Sequence, residues 1–304
     1  MAPDGLAWPI DFSAGYGAGV DRGIALGGGG LYFVAWQVGY LRAMSDAGVD
    51  LGLADRVVGT SAGSIVATAL TAGRIGWLHA QVSALARVPA LLKALAPASS
   101  LRPSQVRALD AFSSAADARP ETVQAIGRLA LAAVTPDAAR MRANVQVAVQ
   151  SSSWPHPALR ITCVDAFSGE RCVIGEEAGI RPARAAAASS AVPGIFPPQP
   201  IGDRRCMDGG VCGTGVHLDL VAGARRVLIL TLGTAESPAG MTERAGAVGR
   251  ELAELEATGT RVLARSPNPV DRAVLMDPAA VPAALADGTD MAEADLVDLK
   301  AFWS

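Results

Sequence analysis

Short apolar runs alternate with longer stretches of helical periodicity along this chain. Gly23 to Leu26 (GIAL) is one such run, ended by four consecutive glycines, and it predicts a buried strand. From Leu31 to Ala47 the pattern changes to a helix. Val34, Val38, Leu41 and Met44 fall near one face, and Gly48 supplies the stop. Arg56-Val57-Val58 predicts a second short strand, followed at once by Gly59-Thr60-Ser61-Ala62-Gly63 and an apolar helical run through Ala72. The local order is strand, sharp turn, helix.

Between residues 74 and 144 the sequence is rich in Ala and Leu and is cut by Pro89, Pro97, Pro103, Pro120 and Pro136, which predicts a helical insertion of several pieces. Val145 to Val149 and Leu159 to Val164 then read as β runs. The second is joined through Phe167-Ser168-Gly169-Glu170 to Cys172-Val173-Ile174 as a hairpin. Ile180 to Ala188 reads as a helix, Pro193 to Pro200 as a loop, and Arg226 to Leu232 as a strand of the buried, parallel-sheet kind. Thr242 to Arg265 is helical by composition.

Strands alternating with helices predict a three-layer α/β/α sandwich with a mainly parallel central sheet. A single domain accounts for the whole length: a core at 22–73 and 145–233, the helical insertion, and a C-terminal helical tail at 242–304.

Composition narrows the functional classes. Half of the 304 residues are apolar and 18% are charged, as in a folded globular chain. The formal charge of −3, without Lys/Arg runs, gives no electrostatic footprint for nucleic acid, so any membrane contact is expected to be peripheral and apolar. Met1 to Ala18 starts with acidic Asp4 and has no apolar h-region, unlike a signal peptide, and a cytoplasmic location is expected. Cys163, Cys172, Cys206 and Cys212 show neither CxxC nor Cys/His metal spacing; they read as buried thiols, with no metal or cofactor called for.

The chemistry gathers in a few segments. Gly59-Thr60-Ser61-Ala62-Gly63 is a G-x-S-x-G sequence placed between a strand and a helix, the context of a nucleophile elbow. Gly59 and Gly63 leave the room that an exposed serine at such a turn needs. The following helix turns its N-terminal amides toward Ser61 and favours negative charge there. In isolation the motif also fits an ordinary glycine-rich turn.

The run Gly27-Gly28-Gly29-Gly30 can converge its backbone N–H groups on a carbonyl oxygen, as an oxyanion hole does. It is not a dinucleotide fingerprint, because Tyr32 and Phe33 occupy the last position of G-x-G-x-x-G in its two frames, and Walker A fails too. Met207-Asp208-Gly209-Gly210 places a carboxylate beside two glycines, after the loop from Ser190 to Pro198.

Together these segments resemble the patatin-like phospholipases: an oxyanion glycine run near the first strand, a G-x-S-x-G elbow after the second, an A-V-P-G-x-F-P-P loop, and D-G-G. The resemblance covers about residues 22–73 and 183–232. It implies a Ser-Asp dyad without histidine, with Ser61 as nucleophile, Asp208 as general base, and the amides of Gly28, Gly29 and Gly30 as oxyanion donors. It also implies a lipid or other acyl-ester substrate, with phospholipid or lysophospholipid as the class. One feature departs from the pattern: many members follow the glycines with a small residue, a basic residue and Gly, whereas this chain has Leu31-Tyr32-Phe33.

A base for Ser61 of modest proton affinity requires a desolvated carboxylate, so Asp208 is expected to be buried. The rival Ser-acid-His arrangement has one late candidate, His217, which reads as surface or structural. His79 falls in the insertion and His156 between prolines. Tyr32, Phe33, Trp36 and Tyr40 lie at helical spacing and read as core. Trp77, Leu78, Leu85, Leu91, Leu92 and Leu95 read as ordinary helix packing, with a lid as the alternative. Acyl transfer from the same acyl-enzyme, and a catalytically silent lipid- or partner-binding module, are the alternative functions.

Overall fold

The computed structural model describes residues 5–88, 100–233 and 246–304. The elements in order are β1 (Arg22–Leu26), α1 (Gly30–Asp46), β2 (Arg56–Thr60), α2 (Ala62–Thr71), α3 (Ile75–Ala86), α4 (Pro103–Ser113), α5 (Pro120–Ala132) and α6 (Ala138–Val149). They continue with β3 (Leu159–Asp165), β4 (Arg171–Ile174), α7 (Pro182–Ser189), β5 (Gln199–Ile201), β6 (Arg204–Asp208), β7 (Arg226–Leu230), α8 (Ala247–Ala257), β8 (Arg261–Arg265) and α9 (Val281–Trp303).

The eight strands form one sheet. Its parallel part runs β8-β7-β1-β2-β3, and β4 and the β5–β6 hairpin add antiparallel pairs. Strand β3 carries three partners on two edges, and the register decides where each goes. β4 pairs with Ile161 to Val164, overlapping both β2, which ends at Thr60↔Thr162, and β6, which ends at Cys163↔Asp208. Two strands paired to the same residue need opposite edges. β2 and β6 therefore share the edge away from β4, and their C-terminal ends meet head to head.

Alternation along the strands builds three layers. Ile24, Leu26, Val57, Leu228 and Leu230 face a core shared with α1, α2, α7 and α9. Ala25, Val58, Val227 and Ile229 face the opposite side, where Val248 and Leu255 of α8 pack with Trp8, Phe12 and Tyr16 of the N-terminal segment. A third cluster joins Phe112 of α4 and Val123, Ile126 and Ala130 of α5 to Val164 and Met207, so part of the insertion covers the Asp208 end of the sheet.

The aromatic stripe of α1 is core, as its spacing suggested. Phe33 stacks on Trp36 and Trp36 on Tyr40, each with ring centroids 5.5 Å apart. Their polar ends reach α9: Trp36 Nε1 donates to Asp287 at 2.8 Å, and the Tyr40 hydroxyl donates to Asp295 at 3.1 Å. The two helices cross so closely that a Cβ on Gly39 would stand 2.2 Å from the Leu285 carbonyl oxygen, and one on Gly288 2.1 Å from that of Trp36.

Two expected elements differ. Val145 to Val149 is the last turn of α6, not a strand. Met141, Val145 and Val149 are buried at a spacing of four while Val147 is 61% exposed, which is helical periodicity and not alternation. Asp137 caps this helix through the Ala139 amide. The expected helix from Thr242 to Arg265 is α8 followed by β8, which pairs with β7 over its whole length, so the tail extends the sheet. Thr242 itself, like Leu91, Leu92 and Leu95, lies outside the described residues. Of the other insertion side chains, Leu78 is buried, Leu85 packs partly against the core and Trp77 is exposed. No described helix is long and apolar enough to cross a membrane.

Candidate active site

Ser61 stands between β2 and α2 with φ 52 and ψ −122, a backbone conformation that side chains other than glycine adopt at a cost. Close packing holds it there. A Cβ on Gly63 would lie 2.1 Å from the Leu26 carbonyl oxygen, and one on Gly59 would lie 2.7 Å from that of Gly63. The hydroxyl of Ser61 makes no capping bond to α2, although the residue occupies the N-cap position.

The backbone of Ser61 is pinned by the end of α7 and by its own helix. Its N–H donates to Ser189 Oγ at 2.8 Å, and its carbonyl accepts from Ser190 Oγ at 3.0 Å and Ser64 Oγ at 2.6 Å. The adjoining Ala191 carbonyl accepts from the Asp208 N–H at 3.0 Å. The end of α7 thus stitches Ser61 and Asp208 into one frame. The motifs give neither serine a role: Ser190 is the first residue of the loop read as Ser190 to Pro198, and Ser189 stands outside it.

Asp208 is 3% exposed, as the need for a desolvated carboxylate suggested. Its Oδ1 accepts from the Gly210 N–H at 2.8 Å, and its buried Oδ2 has no hydrogen-bond partner among the described residues. Burial raises the carboxyl pKa to about 6, with the neighbouring Ser61 hydroxyl and the Gly210 amide pulling it down. Gly209 is wedged beneath: a Cβ there would meet Thr162 O at 2.7 Å and Thr162 Oγ1 at 2.8 Å. Thr162 Oγ1 in turn lies 2.6 Å from Thr60 Oγ1.

The four glycines divide their work. Gly27 belongs to the strand, because its N–H continues the ladder to Leu230 at 2.9 Å. Its carbonyl accepts from Gly63 N–H at 3.1 Å and from Gln37 Nε2 at 2.9 Å. A buried glutamine from α1 therefore anchors the loop from within. Gly28 lies against the serine, where a Cβ would be 2.9 Å from Ser61 Cβ and 3.5 Å from its Oγ. The N–H groups of Gly28, Gly29 and Gly30 find no acceptor among the described residues. Gly30 has φ +64, and a Cβ there would meet the Leu275 carbonyl oxygen at 2.4 Å.

His217 is structural and wholly buried rather than at the surface. Its nitrogens face Gly209 O at 3.0 Å and Arg171 Nη1 at 3.3 Å, so neither is bonded to Ser61. Strand register also brings Cys163, Cys172 and Cys206 together, their sulfurs all within 4.8 Å of one another. Sequence spacing gave no sign of this, since the three lie on β3, β4 and β6. No fourth His, Cys, Asp or Glu among the described residues joins them, whereas structural zinc sites take four ligands. All three are buried free cysteines.

A model of the patatin-like phospholipases matches residues 24–219, a span that holds the glycine run, the elbow and Asp208. The chain belongs to that family. At family level this patatin-like phospholipase is a lipid-ester hydrolase. No protein of curated function is matched in sequence. Among solved structures it is similar to VipD from Legionella pneumophila, with TM-score 0.40 and 11% identity, covering 91% of this chain and 67% of VipD. It is also similar to the type III effector protein ExoU, with TM-score 0.32 and 18% identity, covering 90% of this chain and 53% of ExoU.

Proposed function

We propose that this patatin-like phospholipase cleaves carboxylic esters of phospholipid or lysophospholipid by a Ser61–Asp208 dyad. Ser61 Oγ attacks the ester carbonyl while Asp208 takes its proton, and the N–H groups of Gly28, Gly29 and Gly30 receive the oxyanion. The proton passes to the departing alcohol as the acyl-Ser61 ester forms. Water, deprotonated by Asp208, then attacks that ester; the collapsing intermediate frees the fatty acid and returns the proton to Ser61.

The observation that carries this reading is that Ser61, with a strained backbone and a hydroxyl that makes no capping bond, hydrogen-bonds a buried Asp208 carboxylate whose Oδ2 has no other partner among the described residues. A raised pKa makes the carboxylate a better base than a solvated aspartate, while leaving it ionised at neutral pH.

Mixed micelles of phosphatidylcholine and lysophosphatidylcholine provide the test, with released fatty acid measured by mass spectrometry and a competing alcohol present in one arm. Fatty acid released by wild type and lost in Asp208→Asn supports the reading. Acyl-alcohol products in place of fatty acid would make the chain an acyltransferase. Folded wild type that releases nothing from either lipid or from short p-nitrophenyl esters would defeat it.

A further inference from the structure

We propose that His217 is a positioning residue for Asp208: it holds the Asp208–Gly209 turn by a hydrogen bond to the Gly209 carbonyl, and is itself held by the buried Arg171–Asp219 pair. The inference rests on the reading of Asp208 as the base for Ser61.

Two links lead from the pair, through His217, to the turn. Arg171 Nη1 and Nη2 donate to the two carboxylate oxygens of Asp219 at 2.7 and 2.6 Å, with the side chains 1% and 0% exposed. The guanidinium also donates to Trp8 O at 2.9 Å and Pro9 O at 2.7 Å, which fixes its plane. Arg171 Nη1 lies 3.3 Å from His217 Nδ1, and His217 Nε2 lies 3.0 Å from Gly209 O.

The partners decide the tautomer. A carbonyl can only accept, so Nε2 carries the proton; a guanidinium can only donate, so Nδ1 offers its lone pair. The imidazole is therefore neutral and singly oriented, and burial, with the charge of Arg171, holds its pKa down at about 4. A proton relay would need a partner that can take or give a proton, and the ring's partners are a guanidinium and a backbone carbonyl, which do neither.

Gly209 is consequently gripped from two sides, by Thr60 and Thr162 below and by His217 through its carbonyl. Its neighbours are the two residues that set the carboxylate, Asp208 and the Gly210 whose amide holds Oδ1. His217 is also one of three non-glycine residues with positive φ among those described, at 55, and this strained backbone is retained where the ring must turn inward. Without the imidazole N–H, the buried Gly209 carbonyl is left with the longer bond from the Cys212 N–H at 3.3 Å, and the turn is held more loosely.

His217→Gln and His217→Met test this, because the two side chains are close in size and only Gln can donate to Gly209 O. With p-nitrophenyl ester, His217→Met is expected to lose about a hundredfold in kcat with KM within about twofold of wild type. Deuterium uptake of residues 206–212 should rise in that variant. His217→Gln should recover most of both.

A folded His217→Met with wild-type kcat and uptake would overturn the proposal, as would a folded His217→Gln no better than Met. If Met does not fold, the Gln variant decides alone, with wild-type-like turnover and uptake supporting the proposal and loss of both overturning it. Wild type without esterase activity would defeat the dyad reading instead, and deuterium uptake would still decide whether His217 holds the turn.

Discussion

Thr60 and Asp208 end two strands that meet head to head on one edge of β3, paired with the consecutive residues Thr162 and Cys163. The serine that follows Thr60 is thereby delivered to Asp208 by backbone register. Two rigid ladders set the distance between Ser61 and Asp208, so under the proposed dyad a substitution that moves either strand end is expected to be felt in turnover before it is felt in stability.

The raised carboxyl of Asp208 gives a pH dependence of known sign. Asp208 must be ionised to take the Ser61 proton, so kcat/KM should fall below a midpoint near pH 6, the value to which burial brings it. A pH–rate profile with a short ester checks this; a profile level down to pH 4 would count against Asp208 as base.

The same shift costs stability above that pH. Folding raises the carboxyl from 3.8 to about 6, so the native chain holds this proton more tightly than the unfolded chain does. Stability from this group is full below the lower value and is lost as pH rises through the upper one, by roughly 3 kcal/mol. Asp208→Asn should therefore be more stable than wild type at pH 8 and nearly equal to it near pH 4, measured by urea unfolding at both pH values.

Two glycines near Ser61 should behave differently when given a methyl group. In Gly28→Ala the new Cβ meets Ser61 Cβ at 2.9 Å, so Ser61 is displaced and, if it is the nucleophile proposed, kcat should fall about a hundredfold with little change in thermal midpoint. In Gly63→Ala it meets the Leu26 carbonyl oxygen at 2.1 Å and Gly27 O at 2.8 Å, both fixed backbone. That variant should lose roughly 3 kcal/mol of stability. Melting curves and ester turnover on both variants separate the two effects.

Much of the site was legible because its parts are local. A strand, a G-x-S-x-G turn and a helix are read within a few residues of Ser61, and D-G-G is similarly compact. Long-range supports were not legible. Ser189 and Ser190 act on a residue 128 positions away or more, and Gln37 reaches Gly27 only because α1 folds back over β1. Val145 to Val149 misled for a physical reason: three alternating valines suit a strand, and only packing of Val145 and Val149 with Val147 left outside reveals the helix. β8 was hidden because a short Arg261-to-Arg265 strand, only partly buried, has little apolar signal of its own.

Ser189 offers a test of the frame. Ser189→Ala leaves the buried N–H of Ser61 without its acceptor, which should cost roughly 1–3 kcal/mol. Because the lost bond lies at the elbow itself, kcat should fall as well, with KM changed less. Unfolding and steady-state kinetics on one preparation check both; an unchanged kcat would mean that the glycine packing alone holds the elbow.

The most direct measurement is labelling with a fluorophosphonate, followed by mass mapping of the modified peptide in wild type, Ser61→Ala and Asp208→Asn. The dyad predicts modification of wild type at Ser61, none in Ser61→Ala, and labelling slowed by orders of magnitude in Asp208→Asn. Adduct on another residue, or undiminished labelling in folded Asp208→Asn, would contradict it.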